Sequence, residues 1–204
     1  MFSFTRMLSP RRNKAALRGL FRRLKRRESG VAAVEFAFIL PLMLTMFFGL
    51  AETTLGVMVS RKVSLLNRTL ADLASQTSAI DNTEKDNIFN AAKSTLSPFD
   101  QVTVGMTFSS IVIDNAGKAK VCWTEASNMS GLAAGSTIVL PTGLNLPNTS
   151  LIVAKSDYPL APDIGYMITG TIHIGGDSIY MRPRTGGTGP TGIEQVERIG
   201  KPMC

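Results

Sequence analysis

Residues 30–52, GVAAVEFAFILPLMLTMFFGLAE, decide the architecture of this 204-residue chain. Sixteen consecutive residues between Glu35 and Glu52 carry no formal charge. A membrane span needs about 20 mostly apolar residues, so we predict a transmembrane helix over residues 31–58. At the rise of an α-helix, the two acids would lie roughly 25 Å apart, near the two membrane interfaces. Pro41 falls in the first third of the span, where we expect it to kink the helix.

The basic charge of the chain is concentrated in its first thirty residues. They contain ten Lys or Arg and one acid, Glu28, out of 22 basic and 15 acidic residues in the whole chain. The remaining residues therefore hold twelve basic and fourteen acidic side chains. A basic arm on a nearly neutral body favours a membrane or targeting role over nucleic-acid binding. Because basic flanks stay in the cytoplasm, we predict that the C-terminal body crosses the membrane.

Three processing schemes fit this segment. A secretory signal peptide could be cut before Glu52, since Gly49 and Ala51 are small residues at the positions that such a cut requires. A mitochondrial transit peptide would explain the Arg-rich residues 1–27 but not the motif that follows them. The third scheme is a processed membrane anchor, and it rests on the residues around Gly30.

The sequence RRESGVAAVEFAF, residues 26–38, resembles a type IV prepilin cleavage site. The resemblance implies a cut after Gly30 that leaves Val31 as the new N-terminus, with Glu35 fifth and Phe36 sixth. A carboxylate at low dielectric is costly unless it is paired. The new α-amine, on the same chain or on a neighbouring subunit, would supply that partner and fix the register between packed helices. The alternative is that Glu35 is only an interfacial residue.

The longer stretch resembles the TadE-type segment of tight-adherence (Tad/Flp) pilus systems. The matching positions are Gly30, Ala33, Val34, Glu35, Phe36, Ala37, Pro41, Gly49 and Glu52. The resemblance implies a non-enzymatic minor pilin-like protein, a pseudopilin, in the bacterial inner membrane with a periplasmic head. Its partners would be the prepilin peptidase, other pilus or pseudopilin subunits and the secretion platform. The alternative function is a signal-anchored or secreted extracytoplasmic binding domain that never enters a filament.

The pattern after the span predicts two further helical segments. Val63, Leu66, Leu70 and Leu73 recur at helical spacing, so the helix should continue out of the membrane with this stripe packed on a head. A second helix is expected from about Thr83 to Leu96, capped by Asp81 or Thr83 and stopped by Pro98. The predicted order is a basic cytoplasmic leader (1–30), a transmembrane helix (31–58), a helix extension (59–80) and an extracytoplasmic head (81–204).

From Gln101 onward the sequence is typical of β structure. We predict a strand, a turn at residues 115–117, a return strand through Trp123, and further strands in residues 150–158 and 166–183. Residues 184–192, RTGGTGPTG, are expected to be a flexible segment. The fold class is therefore α+β, with a mainly antiparallel sheet packed on the emerging helix.

Catalytic and metal-binding chemistry find little support in the sequence. His173 is the one histidine and lies in an alternating strand pattern, so we expect it to be structural or exposed. No C-x-x-C pair or phosphate-binding loop is present. The scattered carboxylates of the head are most simply solvated surface charges. We therefore predict no enzyme activity, no cofactor and no metal.

Cys122 and Cys204 are the two cysteines of the chain. If the head is periplasmic, an oxidising compartment favours a single bridge between them. Such a bridge would tie the C-terminal tail to the strand that contains Trp123. The alternatives are two free thiols, or a bond between Cys204 and another subunit.

Overall fold

The computed structural model describes residues 28–161 and 169–204, with side chains from residue 30 onward. The prediction of a basic cytoplasmic leader lies almost wholly outside the described residues, as does the middle of the stretch between the fifth and sixth strands. The chain divides into two compact units, one that ends at Leu50 and one that runs from Ala51 to Cys204. The second unit is called the head domain below.

The first helix, α1, runs from Glu28 to Gln76 and continues through Pro41. Within the head domain its buried positions recur at helical spacing and include most of the predicted stripe. Leu73, the last member of the stripe, is half-buried against the same core. The buried apolar residues of this part of the helix are Val59, Val63, Leu66, Leu70, Ala71 and Ala74.

A short strand, β1 (Ala79–Ile80), leads into the second helix, α2 (Asn82–Ser94). The Asp81 side chain caps α2 by accepting a hydrogen bond from the Glu84 backbone N–H at 2.7 Å. The prediction of this helix and its cap is thus confirmed, with an end two residues earlier than expected. Ile88, Phe89 and Ala92 are the buried residues of α2.

The main sheet has five strands in the order β4-β3-β2-β5-β6, and every neighbouring pair is antiparallel. The central strand β2 is buried along its whole length, because it has neighbours on both edges and side chains packed on both faces. The strands are β2 (Gly105–Ile113), β3 (Ala119–Ser127), β4 (Thr137–Ile138), β5 (Thr149–Leu160) and β6 (Ile172–Met181). The antiparallel sheet forms a half-barrel, and the predicted α+β fold class is confirmed.

The C-terminal tail is more ordered than the sequence suggested. The Gly/Thr-rich segment expected to be flexible contains β7 (Gly187–Thr188), which pairs antiparallel with β8 (Glu194–Gln195). A last strand, β9 (Glu197–Arg198), pairs parallel with β1. The pairing of β9 with β1 places this part of the tail beside the start of α2.

The head domain has two hydrophobic clusters, one on each face of the main sheet. The larger one gathers the inner side of α1, the buried side of α2, the inner face of the sheet and the tail residues Ile193 and Val196. The smaller one lies on the other face and consists of Ile111, Ile113, Ala119, Val121, Leu151 and Val153. The sheet is therefore sealed from water on both faces over much of its length.

Candidate functional site

The first half of α1 presents an apolar surface that the described residues of its own unit do not cover. Phe38 is 80% exposed, and Val31, Leu42 and Met46 are each more than half exposed. Continuous apolar surface of this extent marks a membrane or protein interaction site in ordinary proteins. Within the described parts of the chain, α1 is the single helix long and apolar enough to cross a membrane, by length and composition.

The predicted processing residues lie at the start of this surface. Gly30 and Val31 are in the first turns of α1, and both are exposed. Glu35 follows Val31 by four residues, so the two side chains share one face of the helix. Phe36 is also exposed, which leaves it available for contact with lipid or another helix. The helix thus brings together the residues that the cleavage and pairing predictions need, and those predictions stay predictions.

Pro41 interrupts the hydrogen-bond ladder of α1 without ending the helix. Its ring nitrogen has no N–H to donate, so one turn of the ladder loses a bond. The Thr45 hydroxyl donates to the Pro41 carbonyl oxygen at 2.7 Å, which gives this polar side chain a partner within its own helix. A hydroxyl that is satisfied in this way is tolerated on an apolar helix face.

Gly49 and Glu52, the last positions of the motif, differ from the earlier ones because they are buried. The Glu52 residue is 4% exposed and belongs to the head domain. The sequence predicts Glu52 near a membrane interface. In the structure, this residue is in addition buried against protein. Val59 continues the buried side of the helix two turns later.

The C-terminal tail is held to the sheet by a disulfide and by hydrogen bonds. Cys122 of β3 is bonded to Cys204, with 5.5 Å between their Cα atoms. The indole N–H of Trp123 donates to the Val196 carbonyl oxygen at 3.1 Å. The fully buried Gln195 donates its amide to the Cys204 carbonyl oxygen at 3.0 Å. The internal bridge that the sequence favoured is the pairing found in the structure.

A partly buried ion pair, which the sequence does not reveal, fixes the same tail. Arg198 donates to a Glu125 carboxylate oxygen at 2.8 Å and to the Asn82 side-chain oxygen at 2.6 Å. Lys201 contacts the same Glu125 oxygen at 2.6 Å. Burial raises the pKa of Glu125, but the hydrogen bonds from Lys201 and Arg198 outweigh burial, so the net pKa is below its ordinary value. The expectation that head carboxylates are solvated is wrong for Glu125, because β3 turns its side chain towards β9.

His173 is exposed on β6 and pairs with Asp157 on β5, with 2.6 Å between Nδ1 and the carboxylate oxygen. The structural or exposed role expected for His173 agrees with this position. Across the described ranges, 28–161 and 169–204, no group of three His, Cys, Asp or Glu side chains could hold a metal ion.

A family model described as TadE-like protein matches residues 30–76. Over this segment the chain is TadE-like. The matched range begins at Gly30 and ends where α1 ends, so it covers the exposed half and the buried half of the helix and none of the sheet. No curated protein and no solved structure matches the chain.

The TadE-like match confirms the resemblance seen in the motif. It supports a membrane protein associated with a Tad pilus system. The TadE-like family consists of pilus-associated structural proteins and is not an enzyme family. The apolar helix fits a single-pass membrane protein of such a system.

Proposed function

We propose that the protein is a minor pilin-like subunit, a pseudopilin, that takes part in assembly of a Tad/Flp-type pilus. It is inserted in the inner membrane through the apolar half of α1, with the basic leader in the cytoplasm and the head domain in the periplasm. The observation that carries this proposal is the exposed apolar surface of α1 within a TadE-like segment. That surface is suited to packing first against lipid and then against helices of other pilus subunits.

Processing by a prepilin peptidase is the second part of the proposal. The scissile bond would be the one between Gly30 and Val31, in the first turns of α1. Glycine has a low helix propensity. This lowers the cost of opening the backbone at the Gly30 position so that a peptidase can bind it in an extended conformation.

Pairing between the Val31 amine and Glu35 is the third part. After a cut, the amine and the carboxylate lie one helical turn apart on a surface that becomes dry when helices pack. Neutralising both charges at once makes burial of the helix end much less costly. A pair formed between two subunits would also fix the axial position of one helix against the other.

The disulfide supports the periplasmic placement of the head domain. Structural disulfides persist in oxidising compartments such as the bacterial periplasm and are rare in the cytosol. The bond between Cys122 and Cys204 closes a long loop of the head. This is consistent with a head that leaves the cytoplasm and with a leader that stays there.

The alternative is a signal-anchored or secreted binding domain outside any filament. One observation favours it, because the head domain begins at Ala51 and a signal-peptidase cut before Glu52 would release nearly that unit. The TadE-like match opposes such a cut, since the cut would divide the matched segment, residues 30–76, in two.

The N-terminus of the mature chain distinguishes these functions. The full chain is expressed with and without a prepilin peptidase, extracted from membranes and measured by intact-mass spectrometry. A chain that begins at Val31 only when the peptidase is present supports the pilin-like function. A chain that begins at Glu52 establishes the alternative, and an intact N-terminus with active peptidase refutes the processing step.

Two leucine variants sharpen this measurement. Gly30→Leu should block the cut and leave membrane insertion unchanged, because the spanning residues are untouched. Gly56→Leu is the matched control in the same helix, at a glycine whose added Cβ would meet no neighbouring atom. Normal processing of the Gly30 variant, or equal loss in both variants, would contradict a peptidase that reads Gly30.

A further inference from the structure

The two edges of the main sheet differ in what covers them. At one edge α1 reaches β6, where the Asn67 amide nitrogen donates to the Asp177 carbonyl oxygen at 2.7 Å. At the other edge lies β4, and none of the strands that the structure describes pairs with its outer side. An uncovered edge presents backbone donors and acceptors that a strand of another chain can bind.

The ladder between β3 and β4 determines which backbone groups of β4 point outwards. Val121 of β3 bonds to residues 135–136 through both its N–H and its C=O, at 2.9 and 2.7 Å. Ala119, two residues earlier on β3, is aligned with Ile138. Since antiparallel strands bond to one neighbour through every second residue, Ile138 directs its N–H and C=O towards β3. The residues on either side of Ile138 therefore direct theirs away from the sheet.

Val139 shows that this edge is open. The residue is 96% exposed, and its backbone has no hydrogen bond to any residue within 28–161 and 169–204. Its neighbours Ile138 and Leu140 are half-buried against the smaller hydrophobic cluster, so the alternation of a strand continues through Val139. Pro141 ends the usable edge, because it has no N–H to donate.

The sequence around β4 has no charge that would keep another strand away. Residues 126–154 contain no Lys, Arg, Asp, Glu or His. Natural proteins usually protect an open edge with a lysine, an inward charge or a bulge. Like charges placed opposite each other destabilise a strand pair, so an uncharged edge is suited to meeting a copy of itself.

We propose that β4 pairs with β4 of a second copy of this chain, antiparallel and about a two-fold axis at Ile138. In this register Thr137 lies opposite Val139 of the other copy, and Ile138 lies opposite its own counterpart. Both Thr137–Val139 pairs use the outward backbone groups and exchange hydrogen bonds in both directions. The contact is isologous, so it closes as a dimer and joins two five-stranded sheets into one.

The unpaired backbone selects a strand as the occupant of this edge. Lipid chains offer no hydrogen-bond partner to exposed N–H and C=O groups, so the exposed Val139 does not fit a membrane contact. The nearest basic residues, Lys118 and Lys120 of β3, do not oppose a second copy. Three strand spacings, about 14 Å, would separate them from the lysines of the other copy, which is more than the screening length of roughly 8 Å at physiological salt.

The pairing is too small to hold a dimer in dilute solution. Stable specific interfaces bury at least about 1,200 Å², and an edge that ends at Pro141 provides only part of that area. We therefore expect the dimer where copies are concentrated in one membrane, which raises their effective concentration. In this respect the inference rests on the membrane insertion proposed above.

The test is cysteine cross-linking of the full chain in isolated membranes. Thr137→Cys, Ile138→Cys and Val139→Cys each add one free thiol, because both native cysteines are in the disulfide. The two copies of residue 138 would have Cα atoms about 4.5 Å apart, within the range of a disulfide. Residues 137 and 139 would each lie about 8 Å from their own counterparts, which is too far.

We expect copper-phenanthroline oxidation to give several-fold more covalent dimer with Ile138→Cys than with either neighbour. Random collisions would instead favour Val139→Cys, whose side chain is far more exposed. Co-expression of Thr137→Cys with Val139→Cys should restore cross-linking, and this arm leaves the half-buried Ile138 intact. Strongest cross-linking of Val139→Cys alone, or none in the Ile138 and co-expression arms, would overturn the proposal.

A proline variant tests the backbone hydrogen bonds. Adding Val139→Pro to Ile138→Cys should abolish the dimer by removing an outward N–H, and folding should be spared because that N–H has no partner in the chain. Val139→Thr is the matched control, since it keeps the N–H and a β-branched side chain. Undiminished cross-linking with the proline would refute strand pairing. Loss of the chain from the membrane fraction would contradict insertion and, with it, pairing in the membrane.

Discussion

Replacing Cys204 by serine should lower the stability of the head domain by several kcal/mol. The bond that it forms with Cys122 spans 82 residues of sequence. In the chain-entropy treatment, a crosslink that closes a loop of this length restricts the unfolded chain by about 4.5 kcal/mol at 25 °C. For a domain of this size, that loss corresponds to a fall in melting temperature of about 10–15 °C.

The other contacts of the tail allow the loss of stability in Cys204→Ser to be assigned to the missing crosslink. The hydrogen bond from Trp123 to Val196 and the ion pair between Arg198 and Glu125 do not involve sulfur. They should keep the tail in place in the folded variant, so the difference arises mainly in the unfolded chain. The structure of the folded head should therefore change little.

The assay is thermal unfolding of the detergent-solubilised full chain, followed by fluorescence of Trp123. This residue is the single tryptophan of the chain, is 1% exposed and contacts the tail directly. We expect Cys204→Ser to melt at the same temperature with and without dithiothreitol. Wild type should melt at the higher temperature in oxidising buffer and fall to the variant's temperature after complete reduction.

Met203→Ser is the control for loss of tail packing. Met203 is half-buried beside Gly187, so its replacement removes a neighbouring apolar contact and spares the disulfide. We expect a loss of about 1 kcal/mol and retention of the response to reductant. If complete reduction leaves wild type unchanged, or if reductant destabilises Cys204→Ser by an equal amount, the entropy argument is refuted.

Three further predictions concern α1, the partly buried ion pair between Arg198 and Glu125, and the glycines 175 and 176 of β6, where the pairing with β5 shifts register. Glu35→Ala should leave membrane insertion intact and reduce co-purification with pilus partners more than 100-fold, because an unpaired charge in a dry interface costs roughly 3–5 kcal/mol; wild-type recovery would contradict the pairing. Because the pKa of Glu125 is lower in the folded state, wild-type stability should decline as the pH falls below about 4.5. Glu125→Gln should abolish this part of the decline and cost about 3 kcal/mol at neutral pH by leaving Arg198 unpaired, as chemical unfolding at several pH values would report. Gly175→Ala should destabilise the head more than Gly176→Ala, since both positions have positive φ and an added Cβ overlaps the neighbouring strand only at the first; equal melting temperatures would contradict the close approach of the strands.

The helical part of the fold could be predicted from sequence because the residues that form each hydrophobic pattern follow one another within a single helix. The sixteen residues between Glu35 and Glu52 carry no charge, and the stripe that begins at Val63 repeats at the helical period. Both signals are local, so no knowledge of the sheet is needed. The cap at Asp81 is local as well, since the capping side chain and the amide that it accepts from are three residues apart.

The tail could not be predicted because its order depends on distant partners. Its strands β7, β8 and β9 have two residues each, too short to show a period of two. The buried residues among them include Gln195 and Arg198, which polarity alone would assign to the surface. Their partners lie up to 118 residues away in sequence, as for Arg198 and the Ile80 carbonyl oxygen.

The register shift in β6 lies between these two cases. The consecutive glycines at 175 and 176 within a strand pattern are a sequence signal for a bulge or a close backbone approach. The signal does not reveal which residue is approached, because Ser156 belongs to another strand, β5. Only the register of β5 against β6 brings Gly175 next to the Ser156 carbonyl oxygen.

The TadE-like match ends where the first helix ends. The matched residues, 30–76, coincide with α1, so membrane association and the link to a Tad pilus rest on the helix alone. The sheet and the crosslinked tail lie beyond the matched residues. What the head domain contacts has therefore to be sought from its own surface and not from the family match.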